Sequence, residues 1–150
     1  MTDRDPVEKA VALFGHDYAC TQALLLAYAS RLGIDRSTAV RIAAPFAAGM
    51  GRLGRTCGSV TGALMVLGLY GGPESPDDQQ TKEQLYQKVR TFIARFQERH
   101  GTVVCSELVG HDISTTEGLE RARAEGAFDE RCPGLVRDAA EIVGDILGPG

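Results

Sequence analysis

The chain has 150 residues, of which 43% are hydrophobic and 24% are charged. These values fit one globular domain with a buried core. The formal net charge of −4, with no basic cluster, argues against nucleic acid and acidic membranes as partners. The N-terminal MTDRDPVEKA is too polar for a signal peptide, and no stretch reaches the roughly 20 apolar residues that span a bilayer. We therefore expect a cytoplasmic protein that does not bind membranes.

Helical patterns follow one another through the first half of the chain. Asp5 is a typical N-cap, and Pro6 suits the first position of a helix. Apolar spacing predicts helices over residues 6–15, from a cap at Asp17 to about Gly33, and from residue 35 or 37 to about 44, where Pro45 ends or kinks the helix. A Gly-rich loop precedes the fourth helix, which is predicted over about residues 57–69.

The second half has the same character. After the hydrophilic loop YGGPESPDDQQ, the longest helix is predicted over about residues 78–100. Shorter helices are predicted over 105–109, 114–126 and 133–147, and Val103-Val104 is the one plausible strand, although it is too short to form a sheet. The sequence therefore predicts an all-α, single-domain bundle of about six to eight helices.

The Gly-rich loop contains GMGRLG, which matches the G-x-G-x-x-G spacing of a dinucleotide-binding loop. That motif has meaning only after a strand and inside a βαβ unit. Here the preceding RIAAPFAA is helical, and no lysine lies between Lys9 and Lys82 to complete a phosphate loop. We interpret the loop as a connector that turns the chain and delivers Cys57 to the next helix.

Four dispersed cysteines carry the chemistry that the sequence offers: Cys20, Cys57, Cys105 and Cys132. None forms a CxxC pair, so zinc-ribbon and thioredoxin motifs are absent. Each lies at or near a predicted helix start, with Cys132 as the N-cap before Pro133. Unpaired N–H groups at a helix start stabilise a thiolate, so we expect lowered thiol pKa values.

The residues next to Cys57 favour it as a reactive thiol. Arg52 and Arg55 precede it, as Arg131 precedes Cys132, and we expect these cations to lower the thiol pKa values further. Gly58 and Gly62 share one helix face without a side chain, which predicts close approach of another backbone. We therefore favour Cys57 as the attacking thiol.

Four segments together resemble a known family: ACTQALLLAYASRLGID, AAPFAAGMGRLGRTCGSVTGALMVLGLYGG, RFQERHGTVVCSELVGHDI and CPGLVRDAAEIV. They are similar to the C_GCAxxG_C_C family of redox-active proteins, over about residues 7–147. The box C-G-A-x-x-G corresponds to residues 57–62, with Ser59 where the family usually has Ala. The resemblance implies one domain over 1–150 and a redox function for Cys20, Cys57, Cys105 and Cys132, supported by Gly58 and Gly62.

Three hypotheses for function remain open. The favoured one is reversible dithiol/disulfide chemistry, which requires no cofactor and would make the protein a thiol–disulfide oxidoreductase or an electron-transfer protein. Its partner would be a redox protein or a small thiol, and a homodimer is compatible with it. The alternative is an iron–sulfur cluster or zinc held by the four cysteines. The third is a non-catalytic helical interaction protein whose cysteines only pack.

Overall fold

A computed structural model describes residues 5–149, and this part of the chain folds into eight helices without a sheet. In chain order they are α1 (Pro6–Gly15), α2 (Cys20–Ala29), α3 (Arg36–Ala43), α4 (Gly58–Gly71), α5 (Gln79–His100), α6 (Cys105–Val109), α7 (Thr116–Ala124) and α8 (Ala127–Leu147). Short 3₁₀ turns follow α2 and α3. The predicted all-α bundle is confirmed.

Side-chain caps explain where several helices begin. The carboxylates of Asp5, Asp35 and Asp78 accept hydrogen bonds from backbone N–H groups of α1, α3 and α5, and the hydroxyl of Thr115 does the same for α7. These groups satisfy donors that have no partner inside the helix. The predicted start of α5 therefore agrees with the structure to within a residue.

Two helix starts differ from the sequence prediction. Ala19, not Asp17, is the N-cap of α2, because Asp17 takes a left-handed conformation with φ 70°. Helix α8 begins at Ala127, so Cys132 and Pro133 lie inside it, and Cys132 is not an N-cap. The prediction took proline as a sign of a first helical residue, but a proline can also lie further along a helix at the cost of one hydrogen bond.

Helix α2 lies at the centre of the main core, with every side chain from Ala23 to Ala29 buried. It packs against α1, α3, α4 and α8. A Cβ built on Gly62 of α4 would lie 2.8 Å from Leu24 Cβ and 2.9 Å from the Thr21 carbonyl oxygen. The predicted close approach at the two glycines is confirmed, and the element that approaches them is α2.

A smaller apolar cluster lies beside the main core. It contains Cys105, Val109, Ile113, Ala122 and Ala127, contributed by α6, α7, α8 and the chain after α6. The two clusters meet around the cysteines, because Cys57 belongs to the main core and Cys105 to the smaller one.

The residues just before α4 pair with the residues at the start of α6 through backbone hydrogen bonds. The N–H of Cys57 donates to Val103 O over 2.7 Å, and the N–H of Cys105 donates to Arg55 O over 2.6 Å. Between them, Thr56 and Val104 form an isolated antiparallel bridge. The plausible strand at Val103-Val104 is therefore a single bridge, as its length suggested.

The Gly-rich loop is a left-handed turn. Residues 48–52 all have positive φ, between 56° and 69°, and the N–H of Gly51 donates to Ala47 O over 2.9 Å. Three of the five residues, Ala48, Met50 and Arg52, are not glycine, and each pays a steric cost in this conformation. The loop therefore turns the chain tightly before Cys57, as predicted.

Among residues 5–149, no helix is both long enough and apolar enough to cross a bilayer.

Candidate thiol site

All four cysteines line a single pocket of about 250 Å³. They come from four separate helices. Cys20 is the first residue of α2, Cys57 is the N-cap of α4, Cys105 is the first residue of α6, and Cys132 lies in the second turn of α8. The fold therefore brings together residues that are far apart in sequence.

The walls of the pocket are apolar. Beside the cysteines, the lining residues are Phe14, Ala19, Ala47, Ala48, Gly58, Ser59, Leu108, Val109, Phe128 and Leu135. None of them carries a formal charge. Sequence reasoning did not identify these wall residues, because they come from four helices (α1, α4, α6 and α8), from the residue before α2 and from the chain at the start of the left-handed turn.

The four thiols differ in their access to solvent. Cys57 is 4% exposed and Cys105 is 7% exposed, so both are buried. Cys20 and Cys132 are partly exposed. A reagent that enters the pocket therefore meets Cys20 or Cys132 more easily than Cys57, which does not fit the expectation that Cys57 attacks first.

The expected lowering of the thiol pKa values is wrong. Burial raises the pKa of Cys57 and of Cys132 from the ordinary value of 9.0 to about 12, and that of Cys105 to about 11. Burial also raises the pKa of Cys20. Backbone N–H groups of Thr21 and Ala48 act on Cys20, and that of Ser59 acts on Cys57, in the predicted downward direction. Loss of hydration outweighs them, because an apolar pocket disfavours the charged form of the thiol.

The arginines do not play the expected electrostatic role. Arg52, Arg55 and Arg131 are exposed. Arg131 donates to Leu108 O over 3.1 Å, and Arg55 contributes its backbone oxygen to the amide of Cys105. Arg55 thus supports the site through its main chain and not through its charge.

Cys20 is the central thiol of the group. Its charge would raise the pKa of Cys57, Cys105 and Cys132. Cys105 acts in the same way on Cys57 and Cys132. Cys20 is therefore placed to interact with each of the other three thiols.

Gly58 explains how Cys20 comes close to α4. A Cβ built on Gly58 would overlap Cys20 Sγ and would lie 2.7 Å from Thr21 Oγ1. Only a residue without a side chain leaves space for the sulfur at this position. The absence of a side chain at Gly58 is therefore a steric requirement of this contact.

Two buried hydroxyls accompany the thiols. Thr21 Oγ1 and Ser59 Oγ are both inaccessible to solvent and have no hydrogen-bond partner among the described residues. Thr21 lies against Cys20 and Ser59 against Cys57, and each hydroxyl could donate to its neighbouring sulfur once that sulfur is a thiolate, which favours the charged form. The sequence holds a signal for both, since a hydroxyl residue follows Cys20 and Cys57 within two positions.

Within residues 5–149, no group of three or more His, Cys, Asp or Glu side chains is arranged to hold a metal ion. The four sulfurs share a pocket without forming a ready ligand set, although thiolates are suitable ligands for zinc and iron–sulfur clusters. No disulfide joins any of the four cysteines in this arrangement.

Comparison with protein families identifies a family for this chain. The family described as "Putative redox-active protein (C_GCAxxG_C_C)" matches residues 18–146, a range that contains all four cysteines and the box at residues 57–62. No curated protein and no solved structure matches the chain significantly.

Proposed function

Because the chain belongs to the C_GCAxxG_C_C family of redox-active proteins, we propose that it is a dithiol/disulfide redox protein. One observation carries the proposal: four helices each contribute a cysteine to the same pocket. Buried cysteines that served only as small apolar side chains would have no reason to share one cavity.

The reaction follows ordinary thiol–disulfide exchange. Two cysteine thiols reduce a disulfide R′S–SR′, the protein gains one S–S bond, and two molecules of R′SH leave. The two protons of the cysteine thiols end on the two leaving sulfurs, so the exchange is balanced. The partly exposed Cys20 or Cys132 is the suitable first nucleophile, and a deeper thiol resolves the mixed disulfide.

Four cysteines can form two bonds in three patterns, and all three patterns join cysteines of the same pocket. A bond between Cys20 and Cys57 would stabilise the fold by roughly 4 kcal/mol through the entropy of the unfolded chain.

The test is to count free thiols in the reduced protein before and after mild oxidation, and to map the bonded peptides. We expect the loss of two or four thiols, with intramolecular bonds among the four cysteines of the pocket. Four thiols that stay free and unreactive would refute the proposal. The Cys57→Ser variant separates it from simple packing, because packing alone predicts a change in stability without a change in redox behaviour.

A metal or cluster site is the alternative that the same test must separate. Elemental analysis and the absorption spectrum of protein purified without oxygen address it directly. Stoichiometric zinc or iron, whose removal by a chelator makes all four thiols reactive, would favour four thiolate ligands over exchange chemistry.

A further inference from the structure

We propose that the cysteine pocket binds small uncharged disulfides and rejects charged ones of the same size. The inference rests on the proposed function and adds its substrate class. Two properties of the pocket lead to it: the absence of any charge on its walls, and its volume.

The walls decide the charge of the substrate. The lining residues offer apolar carbon and the four thiols, with Ser59 as the one hydroxyl side chain. A carboxylate or ammonium that entered would lose hydration without gaining an ion pair, which is costly. The surrounding field gives no compensation for an anion either, since Asp129 lies close enough to raise the pKa of Cys132.

The volume decides the size of the substrate. The pocket holds about 250 Å³, whereas an apolar cavity of roughly 150 Å³ is enough to bind benzene. A disulfide with two short substituents therefore fits, and the substituents would contact Phe14, Leu108, Phe128 and Leu135. A peptide disulfide or a charged tripeptide dimer would exceed the space.

The chemistry suits a neutral substrate as well. The thiolate of Cys20 or Cys132 attacks one sulfur of the bound disulfide, the substrate S–S bond breaks, and the departing thiolate takes up the proton that the cysteine released on ionisation. A second cysteine then attacks the mixed disulfide as a thiolate and releases the second thiol in the same way. Each step ends with as many charges as it began with, so with a neutral substrate the thiolate is the one charge in the pocket.

Three disulfides of similar size and different charge test the proposal on the wild-type protein. They are bis(2-hydroxyethyl) disulfide, which is neutral, cystamine, which carries two positive charges, and dithiodiglycolate, which carries two negative charges. The rate of protein thiol loss with each is divided by the rate with free 2-mercaptoethanol, to remove intrinsic reactivity. We expect the normalised rate of the neutral compound to exceed both others by about tenfold or more.

The outcomes separate the two proposals. If all three compounds oxidise the protein at equal normalised rates, the substrate class is wrong while the exchange function stands. If a charged compound reacts fastest, the substrate class is also wrong. If none of the three consumes thiols, the exchange function itself is wrong, and the substrate class falls with it.

A variant places a charge on the wall directly. Phe128 is partly exposed and lines the pocket, so Phe128→Lys adds a cation there. We expect it to raise the normalised rate of dithiodiglycolate and lower that of cystamine, each several-fold. Tyr86→Lys is the matched control, because Tyr86 lies on α5, is 44% exposed and is outside the pocket. It adds the same charge to the molecule and should leave the ratio of the dithiodiglycolate rate to the cystamine rate unchanged. An equal effect of both variants would overturn the proposal, and the wild-type series tests it even if Phe128→Lys fails to fold.

Discussion

Gly58 stands where a side chain would collide with Cys20, and a single methyl group tests this contact. In Gly58→Ala the new Cβ overlaps Cys20 Sγ and approaches Thr21 Oγ1. We expect the free energy of unfolding to fall by about 1–3 kcal/mol, the usual cost of an overpacked site. Urea denaturation of the reduced protein measures it.

Gly68 of the same helix supplies the matched control. A Cβ there meets nothing within 4 Å, so Gly68→Ala gains only helix propensity and should stabilise the protein by about 0.5–1 kcal/mol. Equal and small effects of the two substitutions would contradict the close approach of α2 to α4 at Gly58.

Single residues also show where sequence reasoning was sufficient. The four cysteines and Gly58 could be identified from their types and spacing, because thiol chemistry and close packing allow few substitutes. The direction of the thiol pKa shifts could not. The sequence shows the N–H groups at helix starts, but the apolar walls that strip water from the sulfurs come from distant residues such as Phe14, Leu108 and Phe128.

At the scale of the elements, the left-handed turn before α4 is a strained segment that two opposite substitutions can probe. Arg52 is exposed with φ 67°, and Gly51 is exposed with φ 64° and open space around its Cβ position. Arg52→Gly should therefore stabilise the protein by about 0.5–1 kcal/mol, and Gly51→Ala should destabilise it by about 1 kcal/mol.

Thermal unfolding of the two variants measures both effects under identical conditions. Because neither position lines the cysteine pocket, the rate of thiol oxidation serves as an internal control and should stay at its wild-type value. Equal shifts of the midpoint in the same direction would show that the turn is not left-handed in solution.

Helix boundaries were predictable where a capping side chain marks them. The helices that begin after Asp5, Asp35 and Asp78 agree closely with expectation, since a carboxylate cap is a local signal. The start of α8 is not marked in this way. It follows Gly126 in a left-handed conformation and has no side-chain cap, so the later Pro133 misled the prediction.

For the whole molecule, the protonated thiols make stability depend on pH. The pKa of Cys57 is raised from 9.0 to about 12 in the folded protein, whereas in the unfolded chain it keeps its ordinary value. The unfolded state then loses protons first as the pH rises. The full contribution to stability is present below pH 9 and disappears as the pH approaches 12.

We therefore expect the free energy of unfolding of the reduced protein to fall above about pH 9, by at most roughly 1.4 kcal/mol per pH unit for each buried thiol. Urea titrations between pH 7 and pH 10 under reducing conditions measure the slope. Tyr28, whose pKa burial raises to about 12 from 10.0, contributes with the same sign only above that range. Cys57→Ala should show a shallower slope, and a slope as steep as that of the wild type would contradict the assignment to Cys57.

The division of the core into two clusters could not be predicted from the sequence. Apolar periodicity identifies which face of each helix is buried, but not which helices share a cluster. The pocket exists because the main core and the smaller cluster meet at Cys57 and Cys105, which is a consequence of tertiary packing.

The short backbone pairing between residues 54–57 and 103–106 has a kinetic consequence. The amides of Cys57, Cys105 and Ser106 all donate across it, to Val103, Arg55 and Gly54 respectively. Deuterium can replace these three protons only when the pairing separates, and the same separation would uncover the two buried sulfurs. Hydrogen–deuterium exchange should therefore give the three amides one common opening rate, and a large alkylating reagent should modify Cys57 and Cys105 no faster than that rate. The opening rate of the backbone pairing would then limit how fast reagents reach Cys57 and Cys105, whatever the reactivity of the two thiols.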